Sequence, residues 1–248
     1  MAELLGRDAR HSYYGRTVGL VSPDDGDIDH LAALVRAQGN SNCSAVPLDQ
    51  AAAYKDALAA RGLVPLHYAK WEGTASPVVA ARIAVENMSL PGDLSVVKVD
   101  ASTPDDMIVS LATMALSCGV LPLNGEVLRG LLRPAVCLIA VNKSKKVVSC
   151  AAAATFAHQD HKTFGKQAWW GMLATDPSYR GQGLALGLGA QAILEMNSDF
   201  GVKDFMTGVQ PGNAASEAVC GRMGLVPGEF AIIGCADPQA LANGRMTK

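Results

Sequence analysis

The residues of this chain with the clearest chemical use are Arg180-Gly181-Gln182-Gly183-Leu184-Ala185, which follow the strand-like Gln167 to Thr175 and open an apolar helix. The first N–H groups of a helix have no intrahelical partner and carry a partial positive charge, and glycines let a phosphate reach them without a side chain in the way. The turn therefore predicts a local anion site. Gly181-x-Gly183-x-x-x-Gly187 also matches a loose dinucleotide fingerprint, but the turn comes late in the chain. The next strand, Asp204 to Val209, also lacks the terminal acidic residue that takes a ribose hydroxyl. Asn213, after Pro211-Gly212, is placed to cap a further helix. His158, Asp160 and His161 form a titratable cluster, but Lys162 and Lys166 beside them mark a solvated hairpin, so no metal is expected.

Composition explains why the grip must be local. Among 248 residues, Lys and Arg number 21 against 23 Asp and Glu, for a net charge of -2, so no broad basic field exists to attract nucleic acid or an anionic membrane. With 49% hydrophobic and 18% charged residues, disorder, collagen and a coiled coil are excluded. Six cysteines at irregular spacings, without a Cys-x-x-Cys pair, fit a reducing compartment, and the expected location is cytoplasmic. The charges of Glu3, Arg7, Asp8 and Arg10 break up any signal-peptide core. The longest uncharged stretch, Met107 to Gly125, is interrupted by Ser110, Thr113, Ser117, Pro122 and Asn124, and reads as a buried helix with its exit loop.

The elements that position the turn follow from periodicity and punctuation. Thr17 to Val21 reads as a strand, and Ser22-Pro23-Asp24-Asp25 starts a helix whose face is Ile28, Leu31, Ala32 and Val35 and whose stop is Gly39. A helix over Asp49 to Ala60 precedes strands near Leu66 to Trp71 and Val78 to Val85, and a linker follows at Asn87 to Asp93. The pattern then restarts with a strand at Leu94 to Val99 and a helix after Thr103-Pro104-Asp105-Asp106. A short helix from Glu126 to Leu132 leads to a hairpin of Ala135 to Val141 and Val147 to Phe156. Two echoes are visible: Ser22-Pro23-Asp24-Asp25 with Thr103-Pro104-Asp105-Asp106, and Gly62-Leu63-Val64-Pro65 with Gly224-Leu225-Val226-Pro227. They imply different registers, so at most one reflects duplication, and the first is the one adopted.

After Gln167 to Thr175 come a helix from Gly181 to Met196, a strand from Asp204 to Val209, a helix from Asn213 to Met223 and a strand from Glu229 to Gly234. The helix is uncharged from Gly181 through Leu194, as expected of an element packed beneath a sheet, and Gly187 and Gly189 within it predict a very close neighbour. Trp169 and Trp170 must face opposite sides of their strand. Trp71, Tyr68 and His67 line either a shared cleft or a second core.

Asp176-Pro177-Ser178-Tyr179-Arg180-Gly181-Gln182-Gly183-Leu184-Ala185 resembles the acyl-CoA motif of the GNAT superfamily of N-acetyltransferases, and Asn213 to Leu225 resembles the family's later asparagine-led helix. The resemblance covers about Leu94 to Cys235. It implies an α/β protein with the GNAT acyl-CoA N-acyltransferase fold, a central mixed, mostly antiparallel, splayed sheet flanked by helices. A leader at 1–15 and a smaller partial repeat of the opening half of that fold, at 16–90, precede a complete domain at 91–248. The implied reaction is acetyl transfer from acetyl-CoA to a primary amine of a small molecule or peptide by direct attack, and a homodimer is an assembly the resemblance allows. By the same resemblance, Arg180, Gly181, Gln182, Gly183, Leu184 and Ala185 cradle the pyrophosphate, Leu173, Ala174 and Thr175 pair with pantetheine, and Asn213 and Ser216 hold the cofactor arm.

The pattern departs at Cys220, where many members have a tyrosine that reprotonates the departing thiolate, and Cys220 is carried as the candidate acid. The Gln167 to Thr175 strand offers no carboxylate base. A non-catalytic acyl-CoA-binding or regulatory protein is the competing reading.

Overall fold

The computed structural model describes residues 8–240, so the first seven residues of the leader lie outside it. Short strands β1 (His11–Ser12) and β2 (Gly19–Leu20) lead through a 3-10 turn at Pro23–Asp25 into α1 (Ile28–Gln38), β3 (Asn40–Pro47), α2 (Ala51–Ala59) and β4 (Val64–Thr74). Helix α3 (Ser76–Glu86) connects to β5 (Leu94–Lys98), α4 (Asp105–Ser117), the single turn α5 (Gly125–Leu128) and the hairpin of β6 (Ala135–Asn142) and β7 (Val147–Thr155). Then come β8 (Gln167–Thr175), a second 3-10 turn at Pro177–Tyr179, α6 (Leu184–Phe200), β9 (Asp204–Val209), α7 (Ala214–Arg222) and β10 (Val226–Ala236).

All ten strands form one sheet in the order β1-β2-β3-β10-β4-β9-β8-β7-β6-β5. Its pairs are antiparallel except β2 with β3 and β8 with β9. The six strands from β2 across to β8 read the same from either end once β2, β3 and β4 trade places with β8, β9 and β10. Each trio has the same connectivity: strand, 3-10 turn, helix, strand, helix, strand. The last strand of each trio crosses over, so that β10 pairs with β3 and β4 pairs with β9.

This topology corrects the choice between the two echoes. The first half corresponds to the closing part of the fold, β8 to β10, and not to its opening part, and Gly62-Leu63-Val64-Pro65 aligns with Gly224-Leu225-Val226-Pro227 at the start of the crossing strands. The physics of the two tetrapeptides is the same. Gly62 and Gly224 hold φ of +74 and +70, the left-handed conformation that glycine adopts most easily at a helix end. Leu63 N–H donates to Leu58 O at 3.3 Å and Leu225 N–H to Cys220 O at 3.0 Å, and both leucines are buried. The Ser-Pro and Thr-Pro echo reflects only a shared way of starting a helix.

Two further expectations change. Val78 to Val85 is helical, because Pro77 sits in the first turn of α3 and the Val78 N–H donates to Ala75 O. Strand β3 was not anticipated, since Asn40-Ser41-Asn42-Cys43-Ser44 has poor strand propensity and is held by β2 and β10 on its two edges.

Helices α1 and α2 cover a core of Leu31, Val35, Leu58 and Ile233, while α6 buries Leu184, Leu188, Ile193 and Met196 under β6 to β8. At the crossing, Lys70 of β4 is fully buried, 3.1 Å from Glu72 and with its ammonium 4.1 Å from the centre of the Phe164 ring. Burial pushes its pKa below the usual lysine value, opposed in part by Glu72.

An alanine at Gly62 would meet no atom within 4 Å, whereas at Gly224 its Cβ would lie 2.9 Å from the Ser76 carbonyl oxygen. In urea unfolding, Gly62→Ala is expected to cost about 1–2 kcal/mol, the left-handed penalty alone, and Gly224→Ala distinctly more. Equal costs would contradict the assigned packing. Lys70 binds its proton less readily folded than unfolded, so its charge opposes folding at neutral pH and that opposition fades as pH rises toward 10.5. The stability advantage of Lys70→Met over the natural chain should therefore shrink between pH 8 and 10.5, and an advantage that grows with pH would refute the sign.

Candidate active site

Strands β8 and β9 pair only at Gln167↔Asp204, Ala168↔Phe205 and Trp169↔Met206, and then part. Beyond that point β9 stays on β4 as far as Ala69↔Val209, and β8 stays on β7 as far as Ser149↔Thr175. A wedge opens between them. In its throat β8 bulges: its register with β7 shifts between Cys150 and Ala152, so that Met172 and Leu173 together face Ala151, and Met172 takes a φ of +56. The resulting cleft of about 490 Å³ is lined by Gly171, Met172 and Leu173 on one wall and by Met206 to Gln210 on the other, and Asn213 at the cap of α7 and Ser216 and Cys220 within it also line it.

Past the wide end of the wedge, β8 turns at Asp176, whose carboxylate accepts from Ser178 N–H at 3.0 Å, and reaches the glycine turn. Gly181 and Gly183 hold φ of +80 and +70, and a Cβ on either would meet nothing within 4 Å. Among the described residues no side chain caps α6, and its first backbone bond runs from Gly187 N–H to Gly183 O at 2.9 Å. Thr175, Tyr179, Arg180, Gly181, Gly183, Leu184, Ala185 and Leu186 surround a pocket of about 190 Å³, with Arg180 pinned through Nε to Thr175 O at 3.2 Å. Open glycine faces, uncapped amides and an arginine fit a diphosphate in charge and in room. The equivalent start of α1 is different. Asp27 caps it by accepting from His30 N–H at 2.8 Å, and Asp24, Asp25 and Asp29 crowd it with negative charge.

The two pockets are held in register by α6. A Cβ at Gly187 would lie 2.4 Å from Met88 Sδ, and one at Gly189 would lie 2.9 Å from both Leu173 and Trp170, so the close neighbours expected from these glycines are present. Trp170 Nε1–H donates to Gly189 O at 2.9 Å and seats the helix directly behind the bulge. Trp169 lies on the other face of the strand and stacks on Tyr14, with ring centres 4.8 Å apart.

Residues 119–225 match the model of the Acetyltransferase (GNAT) family. The chain contains a GNAT acetyltransferase domain. Solved structures share its fold at low identity. A GCN5-related N-acetyltransferase from Kribbella flavida is 15% identical with a TM-score of 0.60, over 98% of this chain and 96% of that one. A GCN5-related N-acetyltransferase-like protein from Streptococcus suis is 15% identical at TM-score 0.55, over 91% and 81%. A tandem GNAT protein from the clavulanic acid biosynthesis pathway is 16% identical at 0.54, over 83% and 66%, and a tandem arrangement accords with the two trios of strands seen here. No curated protein matches the chain.

Within the GNAT domain, the predicted residues fall into two groups. Thr175, Arg180, Gly181, Gly183, Leu184 and Ala185 gather at the glycine turn, and Leu173, Asn213, Ser216 and Cys220 gather in the cleft. Gln182 is exposed and lines neither pocket, and Ala174 is buried with its carbonyl accepting from Ser149 Oγ at 2.9 Å. Asn213 caps α7, its side chain accepting from Ser216 N–H at 3.2 Å, while also lining the cleft. His161 does not sit in a solvated hairpin: its Nε2 lies 3.3 Å from Asp25 of the first half, and its side chain is only 10% exposed. Among the described residues no group of His, Cys, Asp and Glu forms a metal site, and no helix is long and apolar enough to cross a membrane.

Sequence reasoning missed Met172, and it missed Tyr14, Arg16, Asn42 and Ser44, which line the far end of the cleft. Gly171 was the available signal for the bulge, since an isolated glycine in a strand marks one; the Trp169 ring fills its missing side chain, 2.5 Å from where a Cβ would be.

Cys220 is 3% exposed, and burial, with Glu217 adding to it, pushes its thiol up to about 12. At neutral pH it is a protonated thiol and a weaker acid than an ordinary thiol near 8.5. Iodoacetamide at pH 8 should accordingly modify the half-buried Cys118 well before Cys220, which should react only on unfolding. Mass spectrometry checks this, and rapid native labelling of Cys220 would contradict its burial.

Proposed function

We propose that this protein transfers an acetyl group from acetyl-CoA to a primary amine by direct attack, without a covalent enzyme intermediate. The observation that carries the reading is the wedge between β8 and β9, with a bulged strand in its throat and an uncapped, glycine-lined helix start at its mouth. When bound, acetyl-CoA supplies an activated acyl group as a thioester. The amides of Leu184, Ala185 and Leu186 and the Arg180 guanidinium hold the diphosphate, and the open faces of Gly181 and Gly183 leave room for it. Asn213 and Ser216 steady the arm that runs down the cleft.

A main-chain N–H at the Met172–Leu173 bulge polarises the acyl carbonyl. Such a fixed donor acts more strongly as negative charge develops on the oxygen than in the ground state, which lowers the barrier. The amine nitrogen forms a bond to the carbonyl carbon, the C–S bond breaks, and the proton lost by the amine balances the one gained by the thiolate. Among the described residues no Asp, Glu or His lines the cleft, so the amine proton leaves through water. Cys220, held as a thiol, stands at the position of the family's usual tyrosine, and its raised pKa makes it a slow donor. Six free cysteines favour a cytoplasmic setting.

A non-catalytic acyl-CoA sensor is the second reading, favoured by that thiol and by the missing carboxylate. Calorimetry with acetyl-CoA and release of free CoA thiol across an amine panel separate the two, since a sensor binds without release. Arg180→Ala combined with Gly183→Ala is expected to weaken CoA binding about tenfold or more, the scale of charge-assisted hydrogen bonds, at a stability cost limited to the about 1–2 kcal/mol of a side chain at the left-handed Gly183. Unchanged affinity would mean that the diphosphate sits elsewhere.

A further inference from the structure

The cleft continues past the bulge, away from the glycine turn, into a chamber that the N-terminal residues complete. Tyr14 and Arg16, from the segment between β1 and β2, form its wall with Asn42 and Ser44 of β3 and Trp169 of β8. That segment is anchored over α5: Gly15 O accepts from Asn124 N–H at 2.6 Å, and a Cβ at Gly15 would lie 3.0 Å from Leu123 and 3.1 Å from Val127.

Among the described residues lining the cleft, Arg16 is the one with a formal charge, and none of them is a carboxylate. Its guanidinium lies 5.2 Å from the centre of the Trp169 ring and 5.9 Å from that of Tyr14, and those two rings stack at 4.8 Å. One Nη2–H donates to Leu121 O at 2.5 Å, while Nε is buried with no acceptor among the described residues. None of the ion pairs among those residues includes it. A guanidinium half-withdrawn from water with its buried Nε–H unmatched is an expense in a folded chain that a ligand would relieve.

The neighbouring polar groups are already engaged with one another. Ser44 Oγ–H donates to Ser12 Oγ at 3.3 Å, and Asn42 Nδ2–H donates to Ser44 Oγ at 2.8 Å. The unmet demand in this chamber is therefore for an anion. The planar fork, laid on aromatic faces, presents its donors in the geometry that a carboxylate accepts through both oxygens, and one cation neutralises a monoanion where it would leave a phosphate dianion half-compensated. Because the coenzyme arm shares the same 490 Å³, the remaining space suits a small molecule.

We propose that Arg16 is the acceptor-recognition residue and that the acceptor is a small amine bearing a carboxylate, such as an amino acid, with its carboxylate on Arg16 and its amine toward the β8 bulge. This rests on the acyltransferase reading above and names its substrate class.

The test uses the full chain, with calorimetry for CoA and thiol release for turnover of the protein amino acids and β-alanine, each beside its primary amide. At least one acid should be acetylated about 10- to 100-fold better in kcat/KM than its amide, the range for a hydrogen bond to a charged group. Arg16→Gln should bring that ratio close to one, and Arg16→Lys should keep part of it, with CoA affinity unaltered in both. Amides used as well as acids, or a CoA-binding chain that acetylates no acid, would overturn the proposal. Absence of CoA binding would instead overturn the acyltransferase reading, and if Arg16→Gln fails to fold, the ratio in the natural chain decides.

Discussion

The parting of β8 from β9 after a three-residue parallel ladder is the constraint on which the site depends. Two strand edges that separate leave main-chain donors and acceptors facing a gap, and folded proteins seldom leave such groups without a partner. The parting is kept because each strand is committed on its other side, β8 to β7 and β9 to β4. Strand β4 comes from the N-terminal half of the chain. The cleft is thus held open by a strand that the C-terminal half does not supply, while that half's last strand, β10, completes the other half's sheet at β3. The crossing explains why β4 and β10 share the longest ladder at the centre and why the buried Lys70 and its aromatic neighbours lie there.

The two halves share an architecture and have opposite chemistry. Each passes from a strand through a 3-10 turn into a helix, yet α1 is capped by Asp27 and ringed by acids, whereas α6 starts from glycines with open faces and no cap. A helix dipole helps hold an anion only when its amides are unclaimed and no acid competes, and at α1 Asp27 claims the His30 amide while Asp24, Asp25 and Asp29 stand close by. The first half lacks an uncapped glycine turn and supplies structure instead: β4 props the wedge, and Tyr14, Arg16 and β3 wall its far end.

The glycine turn, α6 and the asparagine-led α7 were legible in the sequence because local rules decide them: glycines at a helix start, an uncharged run, a cap after Pro211-Gly212. Long-range exchange was not legible. Val78 to Val85 has the β-branched content of a strand, and only Pro77 in the first turn tips it to helix. The row Asn40 to Ser44 has a loop's composition and becomes a strand because β10 arrives from the far end of the chain. The Gly-Leu-Val-Pro pair carried the true register, but its meaning lies in two strands crossing, which no local pattern expresses. For the same reason Arg16 drew no notice, since nothing near it in sequence shows that Trp169 stacks beside it.

The most direct test of the central claim, that the amides opening α6 hold the diphosphate while the wedge takes the coenzyme arm, is a titration of the isotopically labelled chain with CoA followed by backbone amide resonances. The account predicts that Leu184, Ala185 and Leu186 shift together with Met172 and Leu173, while Ile28 to His30 at the start of α1 stay in place. Shifts centred on α1, or a bound coenzyme that leaves Leu184 to Leu186 unmoved, would contradict it.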